Sequence, residues 1–128
     1  MALLETNLFT FLTGASAVSA IVGNRVYAKK LPPGCKLPAI SYFIVTTDFQ
    51  QDLEGEGDTI NVRLQIDCWA LDNEKVKLLA KAVRSAMTSA TLEANGFVAL
   101  CQNAADNDDD AANYYGASLD FSVWHEED

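Results

Sequence analysis

The sequence predicts an α+β domain in the order α-β-β-α-β-β, with a four-stranded antiparallel sheet covered on one face by two helices. Three observations carry this. In residues 59–70, Ile60, Val62, Leu64, Ile66 and Cys68 alternate strictly with Asn61, Arg63, Gln65 and Asp67, the period of a strand with one buried face. Directly after it Asp72 precedes Val76, Leu79, Ala80, Val83 and Met87 at helical spacing, so sheet gives way to a capped amphipathic helix within two or three residues. Near the end, Leu119, Phe121 and Val123 alternate with Ser118, Asp120, Ser122 and Trp124, a second half-buried strand.

The remaining elements follow from local chemistry. Residues 2–22 place Leu4, Leu8, Phe11 and Leu12 on one stripe, widened by Leu3 and Phe9, and then Val18, Ile21 and Val22. This predicts a helix with a break near Gly14, Ser16 capping its second part and Gly23-Asn24 closing it. Pro32, Pro33 and Pro38 exclude regular helix from 24–38, leaving a loop with a short extended piece at 25–27. Residues 39–47 are β-branched and aromatic and read as a strand. The acidic, Gly-containing segment 48–58 then joins it to the strand at 59–70 as a long hairpin loop, either functional or disordered. The helix is expected over 73–91, a short strand over 96–101, a polar loop over 102–113 and the last strand over 114–124, with 48–58 and 104–113 flexible and the tail 125–128 frayed.

A length of 128 residues suits one domain, residues 1–128, burying roughly 65–70% of its unfolded surface. Cys35, Cys68 and Cys101 are widely spaced, with no Cys-x-x-Cys pair, and read as free thiols in a reducing compartment. With neither a signal-like apolar run nor a membrane-length stretch, the expectation is a soluble cytoplasmic chain. The net charge of −9 argues against a nucleic-acid grip, and it is segregated. Arg25, Lys29, Lys30 and Lys36 share one early loop, whereas residues 96–128 contain eight acids and no Lys or Arg. Such segregation suits head-to-tail association of copies, and equally suits acidic loops that only confer solubility.

No constellation points to catalysis. Asp106, Asp108 and Asp110 have the spacing of the first, third and fifth positions of a calcium-binding loop. The sixth is Ala111, where a turn-forming Gly belongs, and the twelfth is Ala117, where a bidentate Glu belongs. His125 is the single histidine and stands beside Glu126, Glu127 and Asp128 at an expected exposed end. No nucleophile elbow or phosphate-binding Gly-rich loop appears. We therefore expect no catalytic, cofactor or metal residues. Arg63, Asp67 and Trp69 fall on the polar face of their strand, and Trp124 has the same ambiguity. They are either ordinary solvated and cross-strand paired groups or anchors of subunit contacts. The other candidate interaction residues are the basic Arg25, Lys29 and Lys30 and the acids Asp52, Glu54, Glu56, Asp58, Asp106, Asp108, Asp109 and Asp110.

The order of several segments resembles the tail-completion or tail-terminator (head-to-tail joining) proteins of long-tailed phages and prophages. The segments are the Leu/Ala-rich leading helix, Gly23-Asn24-Arg25-Val26-Tyr27, the Leu37-Pro38-Ala39-Ile40-Ser41-Tyr42 lead-in to the first strand, Val62 to Ala70 ending in Asp67-Cys68-Trp69, Lys81 to Met87, and the final Leu119-Asp120-Phe121-Ser122-Val123-Trp124. The resemblance implies a non-enzymatic structural role. Subunits would form a ring, sixfold, on the head-proximal end of the tail tube, stop tube polymerisation and meet the head connector. DNA would pass through the ring without sequence-specific binding. It implies a homo-oligomer with the major tail tube protein and the head connector as partners, no membrane, and assembly in the bacterial cytoplasm. From charge alone, a competing reading is a small acidic inhibitor that mimics DNA phosphates. Mimicry needs acids spread over an ordered face, whereas here they concentrate in loops and a tail.

Overall fold

The computed structural model describes residues 2–50, 59–88, 97–106 and 115–126. Helix α1 (Ala2–Gly14) and helix α2 (Ser16–Val22) lead into the short strand β1 (Val26–Ala28). Strands β2 (Ala39–Gln50) and β3 (Thr59–Ala70), helix α3 (Asn73–Met87), and strands β4 (Phe97–Asp106) and β5 (Tyr115–Glu126) follow. The sheet order is β1-β2-β3-β5-β4. Its four long strands are antiparallel as expected, and β1 adds a fifth strand parallel to β2 through Val26↔Ile40, Tyr27↔Ser41 and Ala28↔Tyr42.

The break between α1 and α2 occurs at Ala15, whose extended backbone (φ −75°, ψ 114°) takes one residue out of the helix. Ser16 does not cap α2. The capping position belongs to Ala15, and the Ser16 carbonyl instead accepts from Ser19 Oγ at 3.4 Å. Gly23 ends α2 at φ 61°, a conformation that suits glycine, and its N–H returns to the Ser19 carbonyl. Asp72 caps α3 by accepting from the Glu74 N–H at 2.9 Å, and Thr88 closes the described part of that helix through Arg84. Residues 89–91, expected to continue it, lie outside the described residues.

All three helices pack on one face of the sheet. Leu8 and Leu12 of α1, Val18 and Val22 of α2, and Val76, Leu79, Val83 and Met87 of α3 share one core with Ile60, Val62, Leu64, Ile66, Cys68, Leu119, Phe121 and Val123. The period-two set read from β3 is thus the set that is buried. Each fully buried aliphatic or aromatic side chain contributes about 1.5–3 kcal/mol, so the registers of β3 and β5 are set by this face. Phe9, placed on the expected stripe of α1, is instead exposed.

The strands run further than the sequence suggested. β2 continues through Asp48 to Gln50, and β4 through Asp106, which is strand and not loop. β5 extends through His125 and Glu126, opposite Ile60 and Thr59, so these two residues are paired backbone and not a frayed end. The register shifts at Val45 in β2 and at Gln102 in β4 are bulges, which let each strand continue past one unpaired residue. The segments 51–58, 107–114 and 127–128 lie outside the described residues, and the flexibility expected of them is not addressed by the fold. Topology also separates the two hairpins. Thr59 pairs with Glu126 whereas Ala70 pairs with Tyr115, so the strand ends that open onto 51–58 and onto 107–114 sit at opposite ends of the sheet.

Neighbouring positions of α3 offer a test of this packing. Leu79 is fully buried and Leu78 is 56% exposed. Leu79→Ala is expected to lower unfolding stability by about 2–5 kcal/mol in chemical denaturation, and Leu78→Ala to change it by about 0.5 kcal/mol or less.

Candidate functional site

The sequence-predicted residues fall into three places on this frame. Arg63, Asp67, Trp69 and Trp124 lie on the sheet face opposite the helices. Arg25, Lys29 and Lys30 surround β1 at one edge, and Asp106 ends β4 at the other. Asp52, Glu54, Glu56, Asp58, Asp108, Asp109 and Asp110 lie outside the described residues.

On the helix-free face, polar groups bind one another. Asp67 is not a solvated charge: it is only 8% exposed, and its Oδ1 accepts from Ser118 Oγ at 2.6 Å and from Gln65 Nε2 at 2.9 Å. Cross-strand register puts Ser41, Asp67 and Ser118 in one row, so the serine donor comes from the strand directly alongside. In the adjacent row Trp69 Nε1 donates to Ser41 Oγ at 3.1 Å. Nearer the other end Asn61 Nδ2 donates to Ser122 Oγ at 2.8 Å, beside the half-buried Trp124. Arg63, between Thr46 and Ser122, is exposed. Gln65, Ser41, Ser118 and Asn61 were not singled out from sequence. The only signal for them is that each occupies the polar phase of an alternating strand, and pairing register decides which of those positions meet.

Around β1, Arg25 is half-buried and structural. Its Nε donates to the Pro38 carbonyl at 2.8 Å and its Nη2 to the Ile21 carbonyl at 3.4 Å, tying the end of α2 to the lead-in of β2. Its own carbonyl accepts from the Ile40 N–H at 2.9 Å, the first link of the parallel pair. Lys29 has φ 73° and donates its N–H to the Tyr42 carbonyl, and both Lys29 and Lys30 are exposed. Lys29, Tyr42, Phe43 and Ile44 line an open depression of about 400 Å³ where β1 stops. The Tyr27 hydroxyl titrates above its ordinary range, chiefly through hydrogen bonding with Cys35.

Asp106 and Ala117, the ends of the calcium-loop spacing, are paired across β4 and β5, with Ala117 buried in the sheet. Among the described residues no group of three His, Cys, Asp or Glu side chains could hold a metal ion. None of Cys35, Cys68 and Cys101 is in a disulfide. Burial, assisted by the neighbouring Asp67 charge, pushes the Cys68 thiol strongly up and keeps it protonated.

Polar groups that satisfy one another, on a sheet whose outer strands have no further strand beside them among the described residues, are features of a structural domain. Residues 6–126 match the family described as Tail completion protein gp17, and the chain belongs to that family. It is a structural protein of the virion tail. Among solved structures the fold is similar to a chain described as "Virion of native gene transfer agent (GTA) particle", with a TM-score of 0.68 and 20% identity, covering 94% of this chain and 92% of that one. No curated protein matches in sequence. Among the described residues no helix is long and apolar enough to cross a membrane.

Two predictions follow from the geometry. Arg25→Met keeps the aliphatic stem but loses both carbonyl bonds, and is expected to cost about 1–3 kcal/mol in thermal or chemical unfolding, whereas Lys30→Gln costs about 0.5 kcal/mol or less. The Cys68 thiol has a folded value above its unfolded value of about 8.5, so its contribution is intact below that pH. Above it the unfolded chain loses its proton first, and stability falls by up to about 1.4 kcal/mol per pH unit. Denaturation midpoints from pH 7 to 10 should show this decline, and it should shrink in Cys68→Ala.

Proposed function

We propose that this chain is a tail terminator that acts as a ring, of six copies, on the head-proximal end of the tail tube. There it stops tube polymerisation and presents a second surface to the head connector. Family membership over residues 6–126 carries this reading. The segregated charge supports it as well, with exposed Lys29 and Lys30 at one sheet edge and Asp106 at the end of the strand forming the other. The partners are other copies of the chain, the major tail tube protein and the head connector. DNA passes through the ring without sequence-specific binding, consistent with a net charge of −9. The role is mechanical, and no catalytic step is assigned to any residue.

Light scattering over a wide concentration range, with and without the tube protein, is expected to show a species of about six copies in at least one condition. Particles produced without this protein are expected to carry tubes of uncontrolled length that fail to join heads. A chain that stays monomeric in the presence of both tube and connector proteins would rule out the adaptor role.

A further inference from the structure

We propose that neighbouring copies join edge to edge, with β4 of one copy running antiparallel along residues 43–48 of β2 in the next and its Asp106 end directed toward that copy's Lys29 and Lys30. This rests on the ring reading and specifies the surface that would build it.

The sheet has two edges without a neighbouring strand among the described residues. One is the outer side of β4. The other is β2 beyond Tyr42, because the three residues of β1 cover only Ile40, Ser41 and Tyr42. Each edge offers backbone donors and acceptors to an incoming strand. Tyr42 turns its carbonyl outward to Lys29, which fixes the alternation along β2. After the bulge at Val45, Thr47 stands opposite Val62 and presents its N–H to the open side.

Strand direction allows the join without inverting either copy. β2 is antiparallel to β3, β3 to β5, and β5 to β4, so β2 and β4 of one copy run in opposite directions. A copy moved sideways in the same orientation therefore brings its β4 antiparallel to the first copy's β2. A contact of this head-to-tail kind repeats and closes into a ring when each step rotates by a constant angle. A two-fold contact of β2 with β2 or β4 with β4 would also be antiparallel, but it would stop at a pair.

Charge selects between these arrangements. Lys29 and Lys30 are exposed beside the point where β2 becomes uncovered, next to the depression lined by Lys29, Tyr42, Phe43 and Ile44. Asp106 ends β4 in the row of Ala117, Cys68 and Ile40, within two residues of the Tyr42 row to which Lys29 is bonded. Opposite charges thus stand at nearly the same height on opposite edges. Head-to-tail joining brings them together, whereas in a two-fold contact of β2 with β2 or β4 with β4 the Asp106 end never meets Lys29 and Lys30.

The test uses the full chain and sedimentation or light scattering under conditions in which the wild type forms rings. Lys29→Glu/Lys30→Glu, Asp106→Lys and Thr47→Pro should each keep the wild-type unfolding midpoint within a few degrees and weaken association about tenfold or more. The effect of the charge changes should diminish at high salt. An equimolar mixture of the Lys29→Glu/Lys30→Glu and Asp106→Lys chains should recover rings, because every junction in an alternating ring then has opposite charges. Wild-type rings with all three variants assembling normally, or single variants that fail and are not rescued by mixing, would overturn the edge join and leave the ring reading standing. Absence of wild-type association even with tube and connector proteins would overturn both.

Discussion

The structure depends most on the burial of one face of β3. Ile60, Val62, Leu64, Ile66, Cys68 and Ala70 are each nearly or fully removed from solvent, and β3 is paired along its length with both β2 and β5. Slipping the strand by one residue would expose this set and drive Arg63, Gln65 and Asp67 into the contact with the helices. The cost of such a slip, several side chains at about 1.5–3 kcal/mol each, makes register nearly obligatory. The register of β3 then determines which residues of β2 and β5 stand opposite, and so composes the helix-free face.

That face illustrates how a buried charge is tolerated. Removing a carboxylate from water is costly unless its lone pairs find donors, and Asp67 finds two, from Ser118 and Gln65. Ser41, in the same row, is occupied by the indole N–H of Trp69. The two pairs hold β2, β3 and β5 together by side chains as well as by backbone. Charge at Asp67 reaches the opposite face too, where it contributes to keeping the Cys68 thiol protonated. Polar groups committed to each other in this way stabilise the sheet.

Sequence made the central elements legible because their information is local. Alternation in residues 59–70, the Asp72 cap and the 3.6-residue repeat of Val76, Leu79 and Val83 are all read within a few positions. The break near Gly14 was equally visible, but Ser16 as its cap was not correct, since the residue that leaves the helix is Ala15. Strand ends were harder. Asp48, Asp106 and Glu126 are polar residues that read as loop or tail, and what keeps them extended is a neighbouring strand distant in sequence. The parallel pairing of β1 with β2 and the burial of Asp67 were hidden for the same reason. Arg25 read as surface charge because composition cannot distinguish a free guanidinium from one aimed at the carbonyls of Ile21 and Pro38.

Among the described residues the sheet is open along β4 and along β2 beyond Tyr42, and the position of the irregularities bears on which strands can pair there. The inner pair, β3 with β5, is regular from Thr59 to Ala70, while each long outer strand carries one bulge, at Val45 in β2 and at Gln102 in β4. A bulge interrupts the even spacing of outward N–H and C=O groups and increases local twist, so a flat strand from an unrelated chain fits such an edge poorly. β1 masks part of the remaining edge, and Lys29 and Lys30 add a desolvation and repulsion cost against any strand that is not acidic at the matching height. Backbone pairing supplies attraction that is indifferent to sequence, and specificity must come from what obstructs wrong partners. An edge that is open but irregular and charge-marked pairs more selectively than one that is closed or smooth, because a closed edge cannot be extended and a smooth one cannot be kept free.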